Sequence, residues 1–535
     1  VPEGFPGECQ ISPGIGHIFL FQAFQAPGRK VPDLFPQGFL HVLPSFHEKK
    51  GLPQCGSLFC AKIKEREVFP MTILASFAVP HPPIILPEVG RGEERKIAAT
   101  TAAYEAVMKQ AAELHPDTLI ITSPHAEMYL DYFHMAPGRK AQGNFAQFRA
   151  PQVEISAAYD QELASLIADE AEKAGIPAGF EGERNPDLDH GTMIPLYFYR
   201  KYGSLDQVKV VRIGLSGFGP DVHYLFGRCI RDAADKLGRR AVFIASGDLS
   251  HKLKEDGPYG YVPEGPVFDR QCTEALGQGD FFRLLTLDHS LCTRAAECGL
   301  RSFWIMAGAW DGRDVASRLL SYEGPFGVGY GVASFLPQGP DPARQFLPPL
   351  LQAEKQQRED RIAREDPYVK LARLSVETWV KHREMASLPA HLPPEMLQTR
   401  AGAFVSLHLH DQLRGCIGTF LPTQANVAEE ILRNGISAAS RDPRFPPVRP
   451  EELPFLEYNV DVLSTPEPVS GPEGLDPRKY GVIVKSAQDE RRGLLLPDLD
   501  GVDTTEEQIA IARQKGNIAA TEPVQLYRFQ VVRHR

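Results

Sequence analysis

Met71-Thr-Ile-Leu-Ala-Ser-Phe-Ala-Val-Pro80-His81-Pro82-Pro83 is the stretch that decides the fold of this chain. Its apolar residues predict a β-strand over Ile73–Val79, and this strand ends abruptly in a histidine flanked by prolines. Proline fixes φ and has no backbone N–H, so these prolines end the strand and hold His81 at its carboxyl edge. Ligands bind at that edge in open α/β sheets, and the stretch therefore predicts a site as well as a strand.

The sequence after this strand alternates predicted helices with apolar strands. Short continuous apolar runs predict buried strands over Thr118–Thr122, Val208–Ile213 and Ala241–Ala245. Apolar spacing and composition predict helices over Glu93–Leu114, Asp160–Ala174, Phe268–Leu276, Asp280–Leu287 and Arg301–Trp310. This alternation predicts an α/β fold with a central sheet flanked by helices.

Length and charge limit the classes of function. A chain of 535 residues is too long for one hydrophobic core, so we expect two domains. The net charge of −10, without a stripe of Lys and Arg, argues against nucleic-acid binding and favours a small molecule or a protein as partner. The chain has no apolar run long enough for a membrane span and no signal-peptide pattern. Its eight cysteines lack a CxxC pair, and we expect a cytoplasmic protein with reduced thiols.

Residues 1–70 differ from the rest of the chain. They are rich in Phe, Pro and Gly, show no sustained period, and precede Met71, the first methionine. We interpret this segment as non-native sequence translated from upstream of the true start; the alternative is a genuine, poorly ordered extension. Either interpretation excludes residues 1–70 from the predicted fold.

A proline-rich break separates the two predicted domains. It begins at Leu336-Pro-Gln-Gly-Pro-Asp-Pro, and a charged run follows at Glu354–Asp366. This composition cannot bury a core of its own and indicates a linker that leads into a helix. The predicted domains are therefore 71–337 and 366–535, joined by a linker at 338–365. The second contains a predicted helix and several strands, an α+β pattern: Tyr368–Lys381, then Ala403–Leu409, Tyr458–Leu463 and Gly481–Lys485.

Histidines recur at or near the ends of predicted strands. Ser123-Pro124-His125 repeats the arrangement at His81, Asp189-His190-Gly191 follows, and Ser246-Gly247-Asp248-Leu249-Ser250-His251 comes directly after a strand. Two strand-end imidazoles can converge on iron, zinc, copper or nickel, and with one carboxylate they form the facial triad of non-haem Fe(II) oxygenases. His251, after a Gly-Asp turn, can serve as a general base. The structural alternatives are a carbonyl-capping turn histidine for His190 and an Asx-turn for Asp248.

Four ordered motifs, Pro-His-Pro-Pro, Ser-Pro-His, Asp-His-Gly-x-x-x-Pro-Leu and Ser-Gly-Asp-Leu-Ser-His, resemble the class III extradiol ring-cleavage dioxygenases, the LigB-type catalytic subunits and the Memo proteins. The resemblance covers Met71–Pro337. It implies that His81 and His125 ligate a divalent metal, Fe(II) first, with copper or zinc as alternatives. It also implies that His251 is the acid/base that removes a catechol proton, and that His190 contacts substrate or oxygen.

The resemblance leaves the third metal ligand open, because extradiol enzymes use glutamate here, some relatives histidine, and Memo-type proteins cysteine. This chain offers Glu297 and Cys298 side by side. Glu297 would complete a hard 2-His-1-carboxylate set, and Cys298 a softer site that favours copper or a less reactive metal. For the enzymatic function we prefer Glu297.

The second domain contains Leu413-Arg414-Gly415-Cys416-Ile417-Gly418 and Arg441-Asp442-Pro443-Arg444-Phe445-Pro446-Pro447, and over 366–535 it resembles the AMMECR1 family. Arg414 can lower the pKa of Cys416 and create a nucleophile or an anion site. The alternative is a buried corner in which Arg414 pairs with a carboxylate and Cys416 is a small hydrophobe. We expect Asp442 and Arg444 to brace a proline-rigid loop.

The fusion of the two families resembles the AmmeMemoRadiSam grouping, in which such proteins accompany a radical SAM protein. The resemblance implies a radical SAM partner. This chain has no CxxxCxxC cluster motif of its own, so any iron–sulfur chemistry would have to be supplied by another protein. The expected function is that of an Fe(II)-dependent enzyme that oxidises or cleaves a small aromatic diol. The alternative is a non-catalytic metal-binding or scaffold protein in a radical SAM pathway.

Overall fold

A computed structural model of the protein describes residues 71–409, 412–499 and 501–535. The expected N-terminal extension, 1–70, lies outside the described residues. Strands within the described part of the chain are β1 (Ile73–Val79), β2 (Thr118–Ser123), β3 (Phe133–His134), β4 (Lys140–Phe145), β5 (Ala150–Tyr159), β6 (Ala178–Gly179), β7 (Lys209–Gly214), β8 (Ala241–Ser246), β9 (Arg313–Glu323), β10 (Tyr330–Pro340), β11 (Ala403–Leu409), β12 (Gln412–Gly418), β13 (Leu456–Leu463), β14 (Glu467–Val469), β15 (Gly481–Ser486), β16 (Arg492–Leu495), β17 (Val524–Phe529) and β18 (Val531–His534).

Helices within the same residues are α1 (Pro87–Gly90), α2 (Ala98–Glu113), α3 (Gln161–Lys173), α4 (His190–Tyr199), α5 (Pro220–Leu237), α6 (Glu264–Gln278), α7 (Phe281–Leu285), α8 (His289–Ala295), α9 (Leu300–Ala309), α10 (Leu347–Arg364), α11 (Pro367–His382), α12 (Pro394–Gln398), α13 (Val427–Ser440) and α14 (Thr505–Lys515). Across the described residues, no helix combines the length and the apolar composition that a bilayer crossing requires.

The large sheet of the first domain has the strand order β4-β5-β7-β2-β8-β1-β10-β9. Neighbouring strands from β5 to β1 run parallel, and the outer strands β4, β10 and β9 pair antiparallel. Every residue of β2 and β8 is buried, as expected for parallel strands that are covered on both faces. The α/β fold class predicted from the sequence is confirmed.

Side chains of the central strands alternate between two apolar layers. Phe243 and Ala245 of β8 pack into the layer formed with α3, α5 and α9, whereas Val242 and Ile244 pack into the layer formed with α2 and α4. The period of two along a strand produces this division. Helices therefore cover both faces of the sheet and leave its carboxyl edge for polar residues.

The observed elements match the predicted elements closely in the first domain. β1 has the predicted bounds, and Asp160 is the N-cap of α3, where its carboxylate accepts a hydrogen bond from the N–H of Leu163. The single helix predicted over Glu93–Leu114 is divided into a 3-10 helix at Glu93–Ile97 and α2. The division occurs because Ile97 leaves helical geometry, with φ −121° and ψ 41°.

The second domain contains two antiparallel sheets, with strand orders β12-β11-β13-β18 and β14-β17-β15-β16. Helices α11 and α13 pack on the first sheet, and Ala372, Ile431 and Val405 belong to one buried core. Helix α14 packs on the second sheet, and Ala512 and Val482 belong to a second core. The predicted α+β class is confirmed.

The segment between the two domains is mostly helical. β10 continues to Pro340, beyond the expected boundary at 337, and α10 occupies most of the expected linker at 338–365. Leu350 is buried in the core of the first domain, while Arg361 pairs with Glu457 of β13. Helix α10 therefore contacts both domains.

Two glycines set the closeness of α5 and α9. A Cβ on Gly308 would lie 1.9 Å from the carbonyl oxygen of Tyr224, and a Cβ on Gly227 would lie 1.9 Å from that of Ile305. Such distances require the two backbones to be in contact, because neither carbonyl can move aside as a side chain can. This contact positions α9 and the loop that precedes it.

We predict that Gly308→Ala lowers the free energy of unfolding by about 2 kcal/mol or more, because the helices must separate to admit the methyl group. The matched control is Gly277→Ala in α6, where the nearest atom to a new Cβ is Leu319 Cβ at 3.3 Å. Higher helix propensity offsets that milder contact, so stability should be nearly unchanged. Urea denaturation measures both, and equal stability of the two variants would contradict the prediction.

Candidate metal centre

Three neighbouring parallel strands are followed by polar residues at their carboxyl ends. His81 follows β1, His125 follows β2, and Asp248 and His251 follow β8, which lies between the other two strands. Parallel strands end at the same edge of a sheet, so these residues are brought together although they are far apart in sequence. The prediction of a site at this edge depends on that topology.

The rings of His81, His125 and His190 form a cluster. One nitrogen from each of the three lies within 4.8 Å of the others. Nε2 of His81 is 3.0 Å from Nε2 of His125, and the ring centroids of His125 and His190 are 4.0 Å apart. The sequence predicts that His81 and His125 converge, whereas the resemblance gives His190 a role toward substrate or oxygen. The structure places all three together.

A hydrogen bond at Nδ1, the other ring nitrogen, orients His81. Ser246 Oγ donates to the carbonyl oxygen of Gly191 at 2.8 Å, so its lone pairs face Nδ1 of His81 at 3.0 Å. A hydroxyl has one proton, and Nδ1 must therefore carry its own proton and donate to Ser246. This tautomer leaves a lone pair on Nε2, the nitrogen that faces the cluster.

Asp248 also contacts His81, through a hydrogen bond to its backbone. Its Oδ1 accepts a hydrogen bond from the backbone N–H of His81 at 2.8 Å, and its Oδ2 lies 3.9 Å from Nε2 of His81. Asp248 is buried, and burial raises the pKa of its carboxyl group. An Asx-turn, the structural alternative for this residue, is a local hydrogen bond, whereas Asp248 bonds to a residue on a different strand end.

Asp189 holds the other two histidines in position. It is the N-cap of α4, the helix that begins at His190, and it accepts hydrogen bonds from the N–H and the hydroxyl of Thr192. Its Oδ1 also accepts from Ser123 Oγ at 2.6 Å, and the same hydroxyl accepts from the backbone N–H of His125 at 3.2 Å. One carboxylate therefore links the loop after β2 to the start of α4.

His251 lies beside this cluster. Its backbone N–H donates to the carbonyl oxygen of Ala295 at 3.1 Å, and its Nδ1 contacts the carbonyl oxygen of Ala296. A carbonyl only accepts, so Nδ1 carries the proton and Nε2 retains a lone pair. His251 is also close enough to His81 that a proton on its ring would lower the pKa of the His81 imidazole. Nε2 is therefore the ring nitrogen of His251 that does not face the carbonyl group of Ala296.

The adjacent residues Glu297 and Cys298 point in different directions. Glu297 Oε2 accepts a hydrogen bond from the N–H of Leu300 at 2.7 Å, at the start of α9. Cys298 Sγ lies 3.6 Å from Nε2 of His81 and accepts from the N–H of Asp248 at 3.3 Å. The preference for Glu297 as a ligand stays a prediction; Cys298 contacts His81, but the group of ligand atoms within 4.8 Å of one another consists of the three histidines.

A close backbone approach brings Cys298 to this position. A Cβ on Gly247 would lie 2.1 Å from Cα of Gly299, so the turn after β8 and the loop before α9 are in direct contact. The N–H of Cys298 donates to the carbonyl oxygen of Asp248 at 3.3 Å across this contact. Only glycine permits such an approach of two backbones.

The cluster is uncharged near neutral pH. Burial lowers the pKa of His81, His125 and His190, and the neighbouring histidines lower the pKa values of His81 and His190 further. Burial also raises the pKa of Cys298 well above its usual value, an effect to which Asp248 adds. The free site therefore presents neutral imidazoles and a protonated thiol.

This donor set fits a divalent metal ion. Neutral imidazole is a ligand of iron, zinc, copper and nickel, and two facing Nε2 lone pairs 3.0 Å apart repel each other unless a proton or a cation lies between them. The hydrogen bond from His81 Nδ1 to Ser246 is the kind of supporting interaction that metal-binding histidines normally have. The histidine triad can hold a metal ion.

The contacts that two residues make with these histidines are not predicted by any local sequence pattern. In the sequence, Ser246 stands out only as part of a motif, and its orienting bond to His81 depends on the pairing of β8 with β1. Phe148 places its ring 5.2 Å from that of His190, and no spacing along the chain predicts this contact. A short-range pattern cannot reveal either residue.

The Leu-Arg-Gly-Cys-Ile-Gly motif of the second domain has paired groups. Arg414 Nε and Nη2 donate to both carboxylate oxygens of Glu452, at 2.7 and 3.1 Å. Burial raises the pKa of Cys416, although Ser406 donates to its sulfur at 3.1 Å. These contacts agree with the structural alternative, in which Arg414 pairs with a carboxylate, and disagree with an activated thiolate.

Asp442 and Arg444 brace the loop after α13 as expected. Asp442 accepts hydrogen bonds from the N–H of Cys416 at 2.8 Å and from Arg444 Nε at 2.9 Å. Burial alone would raise the pKa of Asp442, but these hydrogen bonds hold it below its usual value. The carboxylate therefore fastens the loop to β12.

Asp269 of α6 holds the turn that carries His251. Its Oδ1 accepts from the N–H of Ser250 at 2.8 Å, and its Oδ2 accepts from the hydroxyl of Tyr322 at 2.6 Å. Burial raises the pKa of this carboxyl group to about 7, since these two hydrogen bonds only partly offset the loss of hydration. The folded protein therefore binds a proton at Asp269 more tightly than the unfolded chain.

We predict that Asp269 destabilises the protein as pH rises from about 4 to about 7, because its pKa is raised on folding. Asp269→Asn keeps the shape and removes the titration, so its stability relative to wild type should grow by about 1.4 kcal/mol per pH unit in this window. Chemical denaturation at several pH values measures the difference. The exposed Asp169→Asn is the control, and a pH-independent difference for Asp269→Asn would contradict the prediction.

Comparisons with known proteins agree with this architecture. Residues 75–333 match the family described as the catalytic LigB subunit of aromatic ring-opening dioxygenase, and residues 369–534 match the AMMECR1 family. A protein of Clostridium acetobutylicum is 41% identical over 473 residues, which cover 87% of this chain and 100% of that protein. A protein of Thermotoga maritima is 51% identical over 173 residues, covering 32% of this chain and 98% of that protein.

Among solved structures, an uncharacterized protein from Pyrococcus horikoshii is 31% identical, covers 31% of this chain and 88% of its own, and has a TM-score of 0.29. The relative from Clostridium acetobutylicum extends along nearly the whole chain, and the two family matches divide the chain where the two folds divide it. The chain therefore belongs to the family of proteins that join a LigB domain of the aromatic ring-opening dioxygenase type to a C-terminal AMMECR1 domain.

Proposed function

We propose that the first domain is a non-haem Fe(II) dioxygenase of the extradiol type, acting on a small catecholic substrate. The observation that carries the proposal is the cluster of His81, His125 and His190, with ligand nitrogens within 4.8 Å of one another at the carboxyl edge of the sheet. Membership of the LigB family adds support, because ring-opening dioxygenases of that family are typically dependent on non-haem iron.

The chain's own residues supply binding and proton transfer in this proposal. His81 and His125 hold the ion, and Cys298, whose sulfur is 3.6 Å from His81 Nε2, occupies the third protein position. When bound, Fe(II) supplies the one-electron chemistry and the coordination of substrate and dioxygen. His251 accepts the proton of a catechol hydroxyl on Nε2, since Nδ1 is directed at the carbonyl oxygen of Ala296.

His190 and Phe148 form one wall beside the cluster, with ring centroids 5.2 Å apart. An aromatic side chain next to an uncharged imidazole suits a planar aromatic substrate, which stacks on such surfaces. His190 would contact the substrate, or it would help His81 and His125 to hold the metal ion.

Cys298 also favours a second candidate, a non-catalytic metal-binding protein that works with a radical SAM partner. A thiolate ligand gives a softer site that selects copper, zinc or tightly held iron. Metal binding would also deprotonate this buried thiol, whose pKa is raised. In either case we propose that the AMMECR1 domain acts in substrate handling or partner docking, because its characteristic motif contains a paired arginine and a thiol without activation.

Metal analysis separates the possible ligands. We predict that His125→Ala and Cys298→Ala weaken Fe(II) binding by more than the roughly 10- to 100-fold that an orienting partner is worth. Glu297→Gln should keep the metal, because the carboxylate of Glu297 is used at the start of α9. Anaerobic isolation followed by elemental analysis and Fe(II) titration gives these affinities.

The matched control for that series is His382→Ala, which removes an exposed imidazole at the end of α11 in the second domain. It should leave the Fe(II) affinity at the wild-type value. Full occupancy of Cys298→Ala together with loss of metal from Glu297→Gln would overturn the assignment of the third ligand and restore the preference for glutamate.

Oxygen consumption tests the catalytic proposal. We predict that protein loaded anaerobically with Fe(II) takes up one O₂ for each catechol opened, and that His251→Gln lowers kcat by about 10²- to 10⁴-fold with metal occupancy unchanged. An oxygen electrode and the absorbance of the ring-opened product measure both quantities. No oxygen uptake by loaded protein across a broad panel of catechols would exclude the dioxygenase and leave the metal-binding candidate.

A further inference from the structure

A cavity lies where α10 meets the second domain, far along the chain from the histidine cluster. Its volume is about 150 Å³, and it lies between α10, α11 and the segment from the 3-10 helix Pro450–Phe455 into β13. Apolar side chains such as Ile362 and Leu453 form part of its wall. The remaining wall is mainly cationic, and we call it the arginine cavity.

The arginine cavity has more cations than carboxylates. Arg358, Arg361, Arg373 and Lys381 line it, and the single acid among its lining residues is Glu377. Most of these cations are paired: Lys381 with Glu377 at 2.7 Å, Arg361 with Glu457, and Arg373 with Glu365. Arg358 has no carboxylate partner among the described residues, so one positive charge remains uncompensated.

The unpartnered polar atoms of the cavity are all able to donate. Nε of Arg358, Nε of Arg361, Nε of Arg373 and the hydroxyl of Tyr458 are buried without a hydrogen-bond partner in the protein. Guanidinium nitrogens only donate, and a tyrosine hydroxyl donates or accepts. Four buried donors around one cavity lack an acceptor, and each would destabilise the protein if it stayed unsatisfied.

Tyr458 adds a buried hydroxyl group to the cations of the arginine cavity. Its side chain is 4% exposed, its hydroxyl has no partner, and the guanidinium carbon of Arg373 lies 5.6 Å from the centre of its ring. Burial lowers the pKa of Arg373, and the charges of Arg361 and Arg358 lower it further, so the cations repel one another across the cavity. A bound negative charge would relieve that repulsion.

We propose that the arginine cavity binds a small oxyanion, the phosphate or carboxylate group of a small molecule. Arginine forks match the planar or tetrahedral oxygens of both groups and bind them through charge-assisted hydrogen bonds. The apolar part of the wall accommodates the group that carries the anion. Arg358 and Arg361 lie on α10, and Arg373 and Tyr458 lie in the second domain, so the anion fastens α10 to the second domain. This inference does not depend on the chemistry of the histidine cluster.

Titration of the full chain with inorganic phosphate tests the proposal. Calorimetry gives the affinity, and thermal unfolding in sodium phosphate or in sodium chloride of equal ionic strength separates binding from screening. We expect phosphate to raise the Tm more than chloride does. Arg358→Gln and Tyr458→Phe should each weaken phosphate binding on the order of ten-fold, because each removes a hydrogen bond to a charged group.

The matched control is Lys355→Gln, which removes a positive charge from the exposed face of the same helix. It should leave phosphate binding unchanged. Without oxyanion, Arg358→Gln should melt no lower than wild type, because it removes an unpaired cation; a lower Tm would indicate that Arg358 is structural and would overturn the proposal. A parallel titration with sodium acetate distinguishes a carboxylate ligand from a phosphate ligand, and equal effects of phosphate, acetate and chloride on all variants would overturn it as well.

Discussion

The parallel pairing of β8 between β1 and β2 is the constraint on which the candidate metal centre depends. Val79 of β1 lies opposite Ser246 of β8, so the serine that follows the last apolar residue of β8 reaches the ring of His81. Both faces of these strands are buried, and a shift of one residue would move apolar side chains to the wrong layer. The same packing that stabilises the sheet therefore holds the turns that carry His81 and Asp248 in register.

Burial determines the chemistry of that centre. His81 is 2% exposed, and the loss of hydration keeps its imidazole neutral, with a lone pair available for a metal ion. Burying polar groups costs free energy unless they are hydrogen-bonded; Ser246 accepts from Nδ1 of the His81 ring, and Asp248 accepts from the backbone N–H of the same residue. The orienting residues thus stabilise the fold and set the tautomer at the same time.

The second domain uses buried charge in two different ways. Arg414 is matched to Glu452 by a bidentate pair, and this makes the characteristic motif of the domain a rigid corner. At the arginine cavity there are more cationic side chains than carboxylates to pair with them, and the proposed anion would accept the remaining hydrogen bonds. Helix α10 joins the two domains, with Leu350 buried against the first and Arg361 paired in the second.

The sequence alone determined the fold class, the bounds of strands such as Ile73–Val79, and the histidines at the carboxyl edge, because these follow from local apolar patterns and from motifs. It left open which of Glu297 and Cys298 lies beside His81, since neighbouring side chains diverge and the contact of Gly247 with Gly299 brings Cys298 there. The partners of His81 and the arginine cavity were likewise beyond sequence reasoning. Both depend on residues more than 80 positions apart that only tertiary packing brings into contact.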